Sequence, residues 1–274
     1  LPANIELVPI SRILEVDTIS FARCGRSMIL PAGDRARLIL AASNAYAPDL
    51  LVTAGYAIHN RKHLRTLANE ISKNPRAGTI ITEVHHDGHA QRSIGRIHAM
   101  WAIHGDGTLH RFGRQVFATS KEARDPDEDS LARFQQQLAV RTLQLPGFTM
   151  FALICGELNI VHGRERPRFL DDAAREAMEA TDIIINPTHD RMSNAGTLQA
   201  KRSLLSRPHA NSAARAYVSV SNWEACGLKG RVQRPSPTLH TVYMSGTPLD
   251  YEEVADGAFG FVYRRFRVQL GLCR

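Results

Sequence analysis

The segment 148–154, FTMFALI, carries apolar side chains at six of seven successive positions and runs directly into Cys155-Gly156. A run this short with no polar face reads as a buried strand. Successive strand residues point to opposite sides, so both sides must be covered. The short apolar runs at 50–52 (LLV) and 182–185 (DIII) ask for the same cover. With 274 residues, of which 43% are hydrophobic and 22% charged, the chain has the material for such a core. A chain of this length buries roughly 70–75% of the surface it exposes when unfolded. No apolar run approaches the ~20 residues of a membrane helix, which argues against a helical span.

Helix and strand signals alternate early and strands come in pairs later. The segment 5–10 is a short apolar stretch. Asp34 is placed to cap a helix that runs to about Asn44, with Leu38, Ala41, Ala42 and Ala45 on one side. Asn60 caps a second helix, where Leu64, Leu67, Ala68 and Ile71 recur at helical spacing. A third helix covers 170–180, with Leu170, Ala174 and Met178 four residues apart. Strands are expected at 50–52, 79–84, 97–103, 109–112, 148–154, 182–185, 217–220, 239–244 and 258–263. The Asp106-Gly107 pair marks a hairpin between the third and fourth of these. The stretch 121–130, KEARDPDEDS, reads as a polar loop. With no repeat and no long linker, residues 1–274 read as one domain. A start at Leu1 is read as a processed protein or a fragment of a longer one.

The balance of 34 basic against 27 acidic residues gives +7, and all but five of the basic residues are arginine. The basic groups are short, 164/166/168 and 264/265/267. They read as solvated surface that permits a nucleic-acid partner without requiring one. Four cysteines (24, 155, 226 and 273) lie far apart with no CxxC spacing, which suits a reducing, cytoplasmic setting. The twelve histidines form no HExxH and no compact ligand set, so no metal or cofactor is expected.

The chemistry concentrates at Cys155. A buried strand delivers it to its C-terminal end, and Gly156 lets the backbone turn sharply. A thiol placed there can attack a carbonyl or nitrile carbon when a neighbouring cation favours its thiolate. The bland alternative is an inert core side chain.

The order of several segments resembles the nitrilase (carbon–nitrogen hydrolase) superfamily. A helix followed by DLLVTAGY (49–56) looks like the family's first helix and second strand. The hairpin through 106–107 and RFGRQ (111–115) resembles the strand bearing its lysine, and LICGE (153–157) its nucleophile elbow. TDIIINPTHD (181–190), ARAYVSVSNW (214–223) and the closing pair LHTVYMSG and FGFVYRRF match the later elements. The resemblance implies a four-layer α-β-β-α sandwich of α+β class, two mixed β-sheets face to face with helices outside. It also implies a Glu-Lys-Cys catalytic set. Cys155 matches the nucleophile. Gly55 stands where the glutamate should be, and Arg114 where the lysine should be.

Arg114 can steady an oxyanion but cannot shuttle protons. Glu157 is a candidate substitute base, although its family counterpart is structural. His59, His162 and His189 are further candidates that equally read as ordinary loop residues. The catalytic candidates are therefore Cys155, Arg114 and Glu157. The missing glutamate points to an impaired nitrilase-like domain serving as a binding, oligomerisation or accessory module, within a larger defence-type or nucleic-acid-handling protein. The alternative is a divergent hydrolase of amides or nitriles acting through the Cys155 thiolate. A homodimer or larger oligomer is expected to form through the 168–180 helix, with no membrane partner.

Overall fold

Alternation along Ile183–Thr188 sets the layering. Ile183 and Ile185 face one hydrophobic cluster, while Ile184 faces another on the opposite side of its sheet. A computed structural model describes residues 11–73, 78–86, 98–117, 119–189, 195–209, 214–226 and 233–271. Two sheets stack face to face. The larger runs in the order Glu252–Asp256, Phe261–Gly271, Ser11–Cys24, Leu50–Thr53, Thr79–His86, Ala99–Ile103, Leu109–Arg111. The smaller runs Thr247–Pro248, His240–Met244, Ala216–Ser221, Ile183–Thr188, Phe148–Ala152, Thr142–Leu145. Both are mixed: Val16 pairs parallel with Leu50 and antiparallel with Phe266, and Val218 pairs parallel with Ile185 and antiparallel with Val242.

Val16, Leu50, Val52, Ile81 and Met100 from the larger sheet meet Met150, Ile183, Ile185, Val218 and Val242 from the smaller, all fully or nearly fully buried. The outer face of the larger sheet is covered by α1 (Ala32–Tyr46) and α2 (Arg61–Ile71), through Ile39, Leu64, Leu67 and Ile71. On the other side lie α3 (Ser120–Arg124), α4 (Glu128–Gln136), α5 (Asp172–Glu179) and α6 (Ala195–Leu205), which seat Ala123, Phe134, Ala174, Met178, Leu198 and Leu205 against Phe151, Ile184 and Tyr217. The architecture is the expected four-layer α-β-β-α sandwich.

The differences from the sequence reading are instructive. Ser11–Cys24 is the central strand of the larger sheet and carries no apolar run, because Glu15, Asp17 and Arg23 interrupt it. Its buried Asp17 is hydrogen-bonded by Tyr263 and Arg265 from the neighbouring strand, so the carboxyl has partners inside the sheet, although burial still favours its neutral form. Phe261–Gly271 extends well past 263 by the same arrangement of arginines between apolar residues. The expected loop 121–130 instead holds α3 and the start of α4. Thr119 and Asp127 cap them, accepting from the amides of Glu122 and Ser130. Asn60 caps α2 as expected, through the His63 amide, whereas α1 starts at Ala32 with no side-chain cap and Asp34 inside its first turn. Cys24 and Cys226 form a disulfide, a pairing the sparse cysteines did not suggest. The stretch 5–10 lies outside the described residues.

Candidate active site

The strand Phe148–Ala152 leaves the sheet at Leu153, and the chain turns at Cys155, whose φ of 50° is left-handed. A non-glycine residue keeps this conformation only where its surroundings hold it. A 3-10 turn, Cys155–Ile160, follows directly. Glu157 lies inside that turn, fully buried, and its two oxygens accept from four donors. These are Arg141 Nη1 at 2.5 Å and Nη2 at 2.9 Å, the Val116 amide at 2.7 Å and the Ile154 amide at 2.8 Å. Arg141 is itself fully buried and lies over the Phe134 ring. This ion pair fastens the 112–117 segment to the turn at Cys155, and Glu157 is committed to it. Arg114 is exposed. Its carbonyl accepts from Arg141 Nη2 at 2.6 Å and its amide donates to Gln137.

The half-buried free thiol of Cys155 faces His189. His189 follows the strand Ile183–Thr188, which lies beside Phe148–Ala152 in the same sheet. Its Nε2 sits 2.7 Å from Glu83 Oε2, and the Cys155 side chain acts on the same ring. With Nε2 engaged by Glu83, Nδ1 is the nitrogen left for the thiol. Glu83 is fully buried on Thr79–His86 of the opposite sheet, so the carboxylate and the thiol approach the imidazole from different layers. Burial pushes the His189 pKa down. The Glu83 charge, the Cys155 side chain and the bond to Glu83 together outweigh it and raise the pKa to about 10. The ring therefore stays an imidazolium through neutral pH.

Gly55 makes the room. An added Cβ there would fall 2.3 Å from His189 Cδ2 and 2.8 Å from Glu83 Oε2. The space beside Gly55 is thus filled by an imidazole and a carboxylate from elsewhere in the chain. The Gly55 backbone is fixed in place, its amide on the Thr188 carbonyl at 3.1 Å and its carbonyl accepting from Asn222 Nδ2 at 2.7 Å. Tyr56, at φ 61°, gives its amide to Glu83 Oε2 and stacks on the His189 ring at 3.7 Å with planes 8° apart. Its hydroxyl meets His98 Nε2 at 3.2 Å, and His85 lies against its ring. On the far side Arg23 Nη1 donates to the His189 carbonyl at 3.0 Å.

Of the other histidine candidates, His59 lies edge-on to His85, outside the Cys155–His189–Glu83 row, and His162 is exposed on a short outer strand. Glu83 and Arg141 are the residues that sequence reasoning did not single out. The signal for Glu83 was present, a lone carboxylate inside the apolar strand TIITEV. Among the described residues, only Cys24, Glu224 and Cys226 come close enough together to share an ion. All three are exposed, and the two sulfurs are bonded to each other.

No protein-family model and no curated protein matches the chain. Solved structures do. A CN-hydrolase superfamily protein from Xanthomonas campestris, with an arsenic adduct in its active site, is similar over 93% of this chain and 91% of its own, at a TM-score of 0.52 and 13% identity. A carbon–nitrogen hydrolase from Helicobacter pylori G27 is similar over 93% and 89%, at 0.50 and 11%. A glutamine-dependent NAD(+) synthetase from Cytophaga hutchinsonii matches over 94% of this chain, at 0.51 and 7%; the chain spans 43% of that protein. The fold is that of the carbon–nitrogen hydrolase, or nitrilase, superfamily. The likeness is one of fold.

Proposed function

We propose that this protein is a divergent member of that superfamily and a hydrolase of non-peptide carbon–nitrogen bonds in amides or nitriles. In this reading Cys155 is the nucleophile, His189 the proton carrier and Glu83 the residue that orients it. The observation that carries the reading is the row Cys155–His189–Glu83, in which the imidazole is bonded to a buried carboxylate and lies within the influence of the thiol. A nucleophile, a base and a group orienting the base are what thiol catalysis needs.

The proton of the pair resides on His189 and the sulfur attacks as thiolate. With an amide, the C–S bond forms as the carbonyl π electrons move to oxygen. The carbonyl of Cys155 is drawn to Asn186 Nδ2 at 3.2 Å, so the planar peptide turns the Gly156 N–H to the other side, where it can donate to that oxygen. As the tetrahedral species collapses, the imidazolium gives its proton to the departing nitrogen and the amine or ammonia leaves. A water then attacks the thioester, giving one proton to His189, and as the C–S bond breaks the carboxylic acid leaves and the thiolate and imidazolium are restored. Glu83 orients the ring, and Glu157, tied to Arg141, takes no part in proton transfer.

The test is ammonia release from a panel of amides and nitriles by the full chain, Cys155→Ala and His189→Ala. Release should vanish in the first and fall about 10²–10⁴-fold in the second. Gly55, with no carboxylate, favours the second reading of an impaired binding, oligomerisation or accessory module within a larger protein. No release from any of the panel, alongside a partner retained on the intact fold, would establish that reading instead.

Self-association through α5 belongs to the proposal as well. There Arg175 reaches Asp172 at 3.2 Å and Glu179 at 3.0 Å within its own helix, so a two-fold contact would have to exchange these partners. Sedimentation at micromolar concentration decides it, and retention on a nucleic-acid column at graded salt decides whether the +7 charge has that partner. No helix among the described residues is long and apolar enough to cross a membrane. A cytoplasmic setting rests on the sparse cysteines and the Cys24–Cys226 bridge speaks against it, so thiol counting on cell extract is its test.

A further inference from the structure

The nucleophile turn is gripped from the helical side by groups that the proton relay does not use. Two carbonyls of the turn are held. The Cys155 oxygen accepts from Asn186 Nδ2 at 3.2 Å, and the Gly156 oxygen accepts from Asn159 Nδ2 at 2.9 Å. Each asparagine is itself fixed through its own oxygen. Tyr217 donates its hydroxyl to Asn186 Oδ1 at 2.9 Å, and Lys201 Nζ donates to Asn159 Oδ1 at 2.9 Å. An amide whose oxygen is taken by a donor cannot flip, so its NH₂ stays aimed at the carbonyl it holds. Behind Tyr217 stands Arg202, whose charge acts on the hydroxyl.

The chain of contacts through Asn159 thus ends on Lys201 of α6, whose neighbour in the helix is Arg202. Lys201 is 2% exposed and Arg202 8% exposed. Successive residues of a helix point about 100° apart, which lets one reach the turn after Cys155 and the other the sheet. Burying two adjacent cations in an apolar layer with Leu198 and Leu205 is unfavourable in itself. Burial pulls the Lys201 pKa down to about 8, and Arg124 facing it adds to that. Packing alone would be served better by Met or Leu. The gain that offsets the cost lies at Cys155, whose left-handed backbone needs both carbonyls held.

We propose that Lys201 is a positioning residue for the nucleophile, acting through Asn159 on the Gly156 carbonyl, as Tyr217 acts through Asn186 on the Cys155 carbonyl, so that the two held carbonyls keep Cys155 in its attacking conformation. The proposal rests on reading Cys155 as a nucleophile, but its test needs no substrate. The rate of carbamidomethylation of Cys155 by iodoacetamide is followed by peptide mass spectrometry on the full chain, with a thermal melt of each variant.

Lys201→Met and Asn159→Asp should each slow alkylation about 10-fold at pH 7, and the double variant no more than the slower single, because the two residues act as one unit. Lys201→Arg, which keeps a donor, should stay within about 3-fold of wild type. Tyr217→Phe should slow it several-fold, and its effect should multiply with that of Lys201→Met, since the two contact chains are separate. Wild-type alkylation in folded Lys201→Met, or losses that multiply between Lys201→Met and Asn159→Asp, would overturn the proposal. If Lys201→Met does not fold, Asn159→Asp and Tyr217→Phe carry the test, and unchanged rates in both overturn it. Absence of ammonia release with these alkylation ratios intact would count against the hydrolase reading and not against this one.

Discussion

Replacing Gly55 by alanine tests the site at its tightest point. Carbon atoms in contact settle about 3.5–4.0 Å apart. The new Cβ would stand 2.3 Å from His189 Cδ2 and 3.2 Å from the His189 backbone nitrogen. The imidazole must retreat by more than about 1 Å, yet it is held at 2.7 Å by Glu83 and at 3.7 Å by the Tyr56 ring. A misplacement of that size in a reacting group costs about 10²-fold in turnover. Overpacking costs about 1–3 kcal/mol in stability as well. An ordinary thiol is only a few per cent thiolate at neutral pH, so loss of the imidazolium can slow alkylation of Cys155 by up to about 30-fold. The assay is the iodoacetamide rate at pH 7 for wild type, Gly55→Ala and a control, Gly33→Ala on α1. A Cβ at Gly33 meets nothing within 4 Å, so the control should react like wild type. Gly55→Glu, which restores the carboxylate of the resembled family, should be no better than alanine because its Cβ meets the same atoms. A folded Gly55→Ala variant whose Cys155 reacts at the wild-type rate would refute the claim that the empty Gly55 position is what seats His189.

Three further outcomes follow from the same geometry. His189 has its pKa raised to about 10, so its contribution to stability is fully present below pH 6.5 and lost as pH rises through about 10. Glu83→Gln removes the charge that raises it, and melting temperatures between pH 7 and 10 should then lose that slope. Arg141→Met leaves Glu157 buried without its partner, and urea unfolding should show a loss of about 3–5 kcal/mol; Arg141→Met/Glu157→Gln should lose less than the single change. Asp17 is raised to about 6 by burial, against the pull of Tyr263 and Arg265, so its contribution is complete below pH 3.8 and lost as pH rises through about 6. Melts of Asp17→Asn should therefore fall less than wild type between pH 4 and 8, and an equal fall in both would refute the assignment.

The legible part of this protein was the part written locally. Apolar runs at 50–52, 148–154 and 182–185 and the Asn60 cap depend on neighbours in sequence, and the elements appear where the residues place them. The central strand Ser11–Cys24 was not legible, because its Asp17 is made compatible with burial by Tyr263 and Arg265 almost 250 residues away. The segment 121–130 is rich in charge and holds Pro126, and only the seating of Ala123 and Phe134 against the sheet decides that helices form around it.

The site divides in the same way. The sequence alone placed the thiol, since a buried strand ending in Cys155-Gly156 delivers it to the edge of a sheet, and it determined that no carboxylate follows the strand at 50–53. It could not say what takes that carboxylate's place. His189 was one histidine among three on loops, and Glu83 lies 106 residues away on the opposite sheet. They meet only because the two sheets stack and Gly55 leaves a gap of one side chain between them. Periodicity records which face of a strand is buried. It does not record which residues of two facing sheets come within 3 Å of each other, because that distance is set by the packing of the layers as a whole.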